Sequence, residues 1–383
     1  MSLSDLIVTI LVISVTLGGT LGICSYLIWL ERKLSAAMQD RLGPNRVGPA
    51  GLFQPIADGL KFILKEEFTP KYVDKFLFTL APCVSVFTTL LAFAVVPFGP
   101  MERTFEWFRF VVAPGVDIGL VFVFAVTSLA VYGIILGGWA SNNKYSVLGA
   151  LRSSAQVISY ELPLGMSVLG IALLSGTLNL EQIAMKQGAV GILGWNVWVQ
   201  PLACLIFFTA ALAESNRLPF DLPECEQELV GGYHTEYSAM KFAMFFLAEY
   251  AHVITVSFLT SILFFGAWYF PGISTPTSDY PLAWVVGLAV LFFKVLCCIV
   301  FIMLLRWTIP RFRFDQLMNL AWKGLIPLAL LNVVCVMLTL HFDQSRWWLA
   351  LTSIGLFLGA GALSLTLQRS PRPTSSVALR RAA

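Results

Sequence analysis

The chain has 383 residues, of which 57% are hydrophobic and only 12% are charged. Its mean hydropathy is +0.79. A soluble domain carries roughly a quarter charged residues, so a soluble globular fold is excluded. The formal net charge of +3 is too small to favour nucleic-acid binding, which selects strongly basic surfaces. Apolar stretches of the length that a transmembrane helix needs, about 20 residues, recur along the chain. The composition therefore predicts an all-α, polytopic membrane protein.

Apolar runs define a predicted transmembrane helix bundle of about eight spans, followed by a ninth at the C-terminal end. The runs cover residues 5–30, 76–98, 117–140, 157–175, 194–213, 238–268, 283–307, 324–341 and 347–367. Alternate connections hold about 20 of the 25 basic residues, and basic connections stay on the inside of a membrane. These inside connections are 31–75, 141–156, 214–237 and 308–323, together with the tail. The pattern predicts an external N-terminus, one transmembrane domain over 1–367, and a disordered basic tail over 368–383.

The first inside connection contains a predicted amphipathic helix. Gly-Pro pairs at 43–44 and 48–49 force a turned, non-helical backbone. Apolar residues then recur at near-helical spacing from Leu52 to Leu64, with Asp58 on the polar face. A helix of this kind is too short and too charged to span, and it lies in the membrane interface. A lipid-surface helix without a function fits the same pattern.

No metal or redox centre is indicated by the sequence. The seven cysteines are scattered without a CxxC pair. The three histidines, His234, His252 and His341, form no pair of haem ligands on facing helices. No glycine motif for dinucleotides or phosphates is present. We therefore expect no metal, and no flavin, haem or iron–sulfur centre bound by this chain. In a redox reaction its electron donor would belong to another subunit.

The connection 214–236 reads ESNRLPFDLPECEQELVGGYHTE and combines six carboxylates with one arginine, Arg217. Its two prolines cannot continue a helix. If the middle were helical, Glu224 and Glu228 would share a face, where like charges separate their apparent pKa values. So much acid in a hydrophobic chain predicts a protonatable cluster at the inner membrane edge. A solvated acidic loop is the alternative.

Ionisable residues also lie at predicted membrane depth, where their cost makes them functional candidates. Glu31 ends the first run, Glu161 lies in the fourth, and Glu249 lies in the sixth. His252 follows Glu249 by three positions and shares its helix face. Buried carboxylates without a fixed partner have raised pKa values and suit a proton path or a protonation-linked switch.

Glu31 and a further ionisable residue at predicted membrane depth, Lys294, have simpler interpretations. Glu31 could form an ion pair with the adjacent Arg32 at the end of the helix, where both side chains reach towards water. Lys294, in the middle of the seventh run, could pair with any nearby carboxylate and serve packing alone.

Four long motifs stand in order between residues 5 and 341. They are ERKLSAAMQDRLGPNRVGPAGLFQPIADGLKFILKE, SAQVISYELPLG, AESNRLPFDLPECEQELVGGYHTEYSAMKFAMFFLAEYAH and RWTIPRFRFDQLMNLAWKGLIPLALLN. Together they resemble one family, the quinone-site membrane subunit of respiratory complex I, called NuoH in bacteria. Cys225 departs from the family pattern, in which Gly or Ala is common, but it is small enough to preserve the loop.

The resemblance implies roles for individual residues. A chain of carboxylates leading from the quinone chamber into the membrane arm would comprise Glu31, Glu161, Glu214, Asp221, Glu224, Glu226, Glu228, Glu236 and Glu249. The chamber itself would be lined or supported by Arg32, Arg41, Arg46, Phe53, Asp58, Arg217, Phe220, Arg311 and Arg313. Quinone is then the substrate, and its reduction would be coupled to proton translocation through the acidic connection.

The resemblance also implies partners and a location. The partners would be the peripheral-arm subunits with the terminal iron–sulfur cluster and quinone headgroup site, the small and antiporter-like membrane-arm subunits, and lipids. The location would be a bacterial inner membrane, or the inner membrane of an organelle. Three alternatives remain open: the equivalent subunit of a membrane-bound hydrogenase or formate hydrogenlyase, a stand-alone secondary transporter, and a structural anchor.

Overall fold

The protein is built from helices, and its structure, a computed structural model, describes residues 3–99, 109–221, 230–274 and 282–369. The helices in these ranges are α1 (Leu3–Met38), α2 (Gln54–Leu64), α3 (Lys75–Ala92), α4 (Gly119–Ala140), α5 (Lys144–Ser175), α6 (Leu180–Gly188), α7 (Asn196–Val199), α8 (Pro201–Glu214), α9 (Ala239–Phe264), α10 (Ala283–Thr308), α11 (Phe314–His341) and α12 (Trp347–Arg369). The predicted sites Glu224, Glu226 and Glu228 lie outside the described residues, as does the tail from 370.

Seven of the described helices are long and apolar enough to cross a membrane: α1, α3, α4, α5, α9, α10 and α11. Helix α8 and the apolar part of α12, Trp347–Ala362, are shorter. No β-strand occurs within the ranges given above; the only β-type pairing there is an isolated bridge between Phe270 and Ser274. The prediction of an all-α, polytopic membrane protein is confirmed, while the total of nine spans stays a prediction.

Several helices extend beyond the apolar runs into the connections. Helix α5 begins at Lys144 because the Asn143 side chain accepts a hydrogen bond from the backbone N–H of Tyr145 at 3.0 Å, which caps the first turn. Helix α11 begins at Phe314 and includes a π-helical segment, Leu320–Leu325. Hydropathy detects only the membrane-embedded turns, so the connections predicted at 141–156 and 308–323 are shorter in the structure.

The helix predicted in the first inside connection is α2. The backbone before it turns at Gly51, whose φ of 77° is left-handed and whose added Cβ would lie 2.2 Å from the carbonyl oxygen of Pro44. No residue of α2 is buried, and Ile56, Leu60 and Ile63 are each more than half exposed. Its placement in the membrane interface stays a prediction.

Helix α9 occupies the centre of the bundle. It packs against α1, α3, α8 and α10, and every residue from Tyr250 to Phe264 is buried. Protein rather than lipid therefore surrounds most of α9. This burial matters for function, because α9 carries Glu249, Tyr250 and His252.

Candidate functional site: two cavities joined at Glu249

The segment after α8, residues 214–221, is held from both sides. The Gln156 side-chain N–H group of α5 donates to the carbonyl oxygens of Ala213 at 2.8 Å and Phe220 at 2.7 Å. From the other side, the backbone N–H of Phe312 donates to the carbonyl oxygen of Pro219 at 3.2 Å. These bonds fix the backbone of a short irregular segment, so the charged side chains that it carries have defined positions.

Phe220 anchors the same segment through its ring. It is 3% exposed and stacks on Phe312 with ring centroids 5.5 Å apart, while the Tyr160 ring lies 5.6 Å away. The structure thus places Phe220 in the packed core behind the segment. Contact of Phe220 with quinone stays a prediction.

An ion-pair cluster forms around Glu31 in the C-terminal part of α1; we use this name for Glu31, Arg217, Tyr250 and Arg306. The Glu31 carboxylate lies 3.4 Å from the Arg217 guanidinium and also accepts hydrogen bonds from Arg306 and from the Tyr250 hydroxyl. The Arg217 guanidinium lies 4.1 Å from the centroid of the Tyr250 ring, in cation–π range. Glu31 is 8% exposed, and a carboxylate so enclosed needs these partners to remain charged.

The predicted helix-end pair of Glu31 with Arg32 is therefore wrong. Arg32 points to α2 instead and forms a salt bridge with Asp58 at 2.7 Å. The partners of Glu31 come from distant parts of the chain, because α1 packs against α9 and α10. Adjacency along the chain was a poor guide to pairing at this position.

A cavity of about 50 Å³ adjoins the ion-pair cluster, and we call it the arginine cavity. Its lining includes Glu31, Arg217, Arg306, Asp221 and Glu249. Asp221 is 8% exposed and forms a salt bridge with Arg311 at 3.1 Å. Predicted coupling carboxylates thus face the same space as two arginines.

A second cavity of about 50 Å³ lies between α3, α4, α8 and α9, and we call it the histidine cavity. Glu214 and His252 face each other across it, with the Glu214 carboxylate oxygen 3.6 Å from Nε2 of His252. Glu249 also lines it and accepts a hydrogen bond from the Tyr233 hydroxyl at 2.9 Å. Since one water needs roughly 15 Å³, this cavity has room for a few water molecules.

Glu249 and Asn216 line both cavities. Glu249 therefore stands between the ion-pair cluster on one side and the Glu214–His252 pair on the other. A carboxylate in this position can exchange a proton with water in either cavity, which a residue facing only one of them cannot do. The linings of the two cavities thus meet at Glu249 and Asn216.

Two further predicted carboxylates lie outside the cavity linings and have their own partners. Glu161 accepts a hydrogen bond from the Ser128 hydroxyl, and Glu236 accepts one from the Asn143 side-chain amide at 2.6 Å. Beside Glu236, burial raises the pKa of the Tyr237 phenol, so this side chain stays neutral. Glu161 and Glu249 thus have hydroxyl partners rather than the unpaired state that the sequence suggested.

An open basin of about 670 Å³ lies between the end of α1 and the start of α2. Arg32, Arg41 and Arg46 line it together. Phe53, at the start of α2, is 53% exposed. Three of the predicted chamber arginines are therefore neighbours in space, while Phe53 is next to the lining residue Gln54 in the chain. Arg313 is exposed at the start of α11, apart from this basin.

Lys294 does not pair with a carboxylate in the described structure. Its ammonium group donates to the carbonyl oxygens of Phe265 at 2.6 Å, Ala267 at 2.8 Å and Tyr269 at 2.7 Å. It also lies 4.5 Å from the centroid of the Trp195 ring. The predicted pairing of Lys294 with a carboxylate is therefore wrong, because backbone carbonyls just after α9 bind the ammonium group instead.

Four residues of the site were not predicted from the sequence: Tyr250, Arg306, Tyr233 and Gln156. The sequence contained a usable signal for two of them, because Tyr250 is adjacent to Glu249 and Arg306 is a charged residue near the end of an apolar run. Tyr233 and Gln156 had none, because an isolated phenol or amide is common in any chain. In the described part of the protein, no three His, Cys, Asp or Glu residues are grouped to hold a metal ion.

Comparison with known proteins identifies similar chains. Residues 9–337 match the family model described as NADH dehydrogenase. The chain is 49% identical over 334 residues to a NADH-quinone oxidoreductase subunit of Thermomicrobium roseum, covering 86% of this chain and 94% of the relative. It is 46% identical over 325 residues to the subunit of the same name from Flavobacterium psychrophilum, covering 83% and 94%. It is 47% identical over 337 residues to a further NADH-quinone oxidoreductase subunit, from Rhodothermus marinus, covering 86% and 96%.

Proposed function

The chain belongs to the NADH dehydrogenase family as a membrane subunit of NADH-quinone oxidoreductase, and from this premise we propose that it links quinone reduction to proton translocation. The route is formed by the carboxylates of the arginine and histidine cavities. The observation that carries the proposal is the position of Glu249, which lines both cavities. Quinone is the substrate of the complex, and the electrons come from a partner subunit.

Electrostatics supplies the coupling. Reduction of a quinone near the arginine cavity changes the charge in a region of low dielectric constant, where interactions between charges are stronger than in water. The new charge changes the electrostatic interactions of Arg217 and Arg306, the two arginines that bind Glu31. It also changes whether a proton resides on Asp221 or on Glu249. Proton movement through Glu249 then passes the change on to Glu214. Glu161, Glu236 and the carboxylates at 224, 226 and 228 extend this path in the proposal.

The arginine-lined basin is the proposed inner wall of the quinone chamber. Arg32, Arg41 and Arg46 give it a positive surface, and Phe53 offers an exposed ring for an apolar ligand. Asp58 holds Arg32 in place through its salt bridge. In the proposal, Phe220 and Arg311 support the chamber through the segment 214–221, where Arg311 pairs with Asp221. Arg313 is assigned to the chamber by the family resemblance alone. This open, charged concavity also suits docking of the peripheral-arm subunits.

The remaining assignments follow from the family and from the distribution of charge. The protein is an integral membrane protein and works with other subunits of the complex. We propose that its membrane is a bacterial inner membrane, with the N-terminus outside, because the basic connections then lie inside. The antiporter-like subunits of the membrane arm would receive the protonation change.

A neutral variant of Glu249 tests the proposal. Glu249→Gln keeps the size and the hydrogen bond from Tyr233 but removes the exchangeable carboxyl proton. We expect the assembled complex to lose about tenfold or more of its quinone reductase and proton-pumping rates. The matched control is Asp343→Asn, a neutralisation at an exposed position with a φ of 49° that Asn tolerates. Unchanged rates in an assembled Glu249→Gln complex would refute the proposal.

Purification of the chain from native membranes separates this function from the alternatives. Co-purification with iron–sulfur and antiporter-like subunits and quinone reductase activity is the expected result. Transport activity of the isolated polypeptide would favour a stand-alone transporter, and hydrogenase activity of the purified complex would favour the other branch of the superfamily.

A further inference from the structure

His252 is a titratable residue of the histidine cavity that the carboxylate route does not use. It is on α9, three residues after Glu249, and its side chain is 9% exposed. Nε2 faces the cavity but has no hydrogen-bond partner in the described structure. A buried ring nitrogen without a partner is costly, so its presence requires an interaction that the described protein atoms do not supply.

The distance to Glu214 indicates what that interaction is. At 3.6 Å, Nε2 and the Glu214 carboxylate oxygen are too far apart for a direct hydrogen bond. A water molecule in the cavity can satisfy both groups, because the cavity has about 50 Å³ and several polar groups around it. Ser85, Thr89 and Thr127 supply hydroxyls from α3 and α4 on the facing wall.

The titratable groups facing His252 are few. Glu214 comes from α8, Glu249 from α9 itself, and Tyr233 from the turn before α9. Helices α3 and α4 contribute only hydroxyl and apolar side chains to the lining, and α5 contributes Val157. No lysine or arginine is among the described residues that line the cavity. Two carboxyl groups and one imidazole can therefore exchange protons there without a fixed positive charge in the lining.

We propose that His252 is a proton-transfer residue of the coupling route, acting between Glu214 and Glu249 through water in the histidine cavity. A water molecule in the cavity accepts the proton of the Glu214 carboxyl group and donates one of its own protons to Nε2, which gives a carboxylate and an imidazolium. The imidazolium then passes this proton through cavity water to Glu249, and no electrons are transferred. Imidazole suits this task because it gains and loses a proton near neutral pH. The inference rests on the proposed function.

The test compares two His→Gln variants in the assembled complex. His252→Gln keeps a polar, hydrogen-bonding side chain that cannot carry the proton. We expect about a tenfold loss of quinone reductase and pumping rates, and a changed pH dependence of those rates. His341→Gln, the matched control at an exposed helix end, should change neither rate nor pH profile.

The outcomes separate this inference from the proposed function. If Glu214→Gln and Glu249→Gln lower the rates while His252→Gln leaves rate and pH profile unchanged, the histidine inference fails and the carboxylate route stands. If the unaltered complex itself lacks quinone reductase activity, the proposed function fails. His252→Asn serves as a second variant. Failure of both His252 variants to assemble would show a structural role and overturn the inference.

Discussion

The two cavities of this protein hold similar side chains in different states of pairing. In the ion-pair cluster, Glu31 is bound by two guanidinium groups and a phenol. In the histidine cavity, Glu214 has a neighbour at 3.6 Å and shares its space with an imidazole nitrogen that has no partner in the described structure. Tightly paired charges favour a fixed protonation state, whereas loosely paired groups beside water can change theirs. The ion-pair cluster is therefore suited to respond to a change in nearby charge, and the histidine cavity is suited to transfer protons.

The largest expected effect tests the ion-pair cluster. Glu31→Gln removes the anion that faces both Arg217, whose side chain is only 18% exposed, and Arg306. Breaking a buried ion pair in this way costs about 3 kcal/mol. We expect a strongly reduced amount of assembled complex, measured by native electrophoresis and by the thermal unfolding midpoint.

A double variant serves as the control for that prediction. Glu31→Gln combined with Arg217→Gln removes both charges, so part of the lost stability should return. A single Glu31→Gln variant that assembles and melts like the unaltered protein would show that the cluster contributes no stability.

The second prediction applies the same substitution to the histidine cavity. Glu214→Gln should assemble normally, because Glu214 has no guanidinium partner within the described ranges, while turnover falls about tenfold. The measurement is quinone reductase rate per assembled complex, with proton pumping in sealed vesicles. If Glu214→Gln instead fails to assemble as Glu31→Gln does, the proposed contrast between the two regions is wrong.

Matched Tyr→Phe variants give the third prediction. Tyr250→Phe removes a hydrogen bond to the Glu31 carboxylate and should lower stability by about 1 to 2 kcal/mol with turnover retained. Tyr233→Phe removes the hydrogen bond to Glu249 and should lower turnover about threefold with less effect on stability. Thermal unfolding and reductase assays on both complexes measure the two effects. If Tyr250→Phe lowers turnover and Tyr233→Phe lowers stability, the roles assigned to the ion-pair cluster and to the histidine cavity are wrong.

The smallest expected effect concerns the salt bridge at the basin. Arg32 and Asp58 have side chains that are 46% and 21% exposed, so solvent screens their attraction. Asp58→Asn should change stability by less than about 1 kcal/mol. We expect its effect on the apparent KM for quinone to exceed its effect on the unfolding temperature. If the apparent KM for quinone is unchanged, Asp58 does not contribute to the proposed chamber.

Particular residues show how far sequence-based prediction reached. Hydropathy located every described long helix, because membrane insertion depends on local composition. It missed the helical turns of α5 from Lys144 and of α11 from Phe314, which are too polar to count as membrane. The family motifs selected most of the candidate carboxylates, yet they assigned Glu31 no partner and left His252 out of the predicted site.

The sequence by itself determined the membrane class, the family and the positions of the ionisable residues, because these depend on composition and on contiguous motifs. Only the tertiary structure decided which charges meet. Glu31 pairs with Arg217 and Arg306, far along the chain, and Glu249 reaches both cavities because α9 passes between them. The physical reason is that ion pairing and cavity formation depend on which helix faces pack together, and local sequence does not encode that directly.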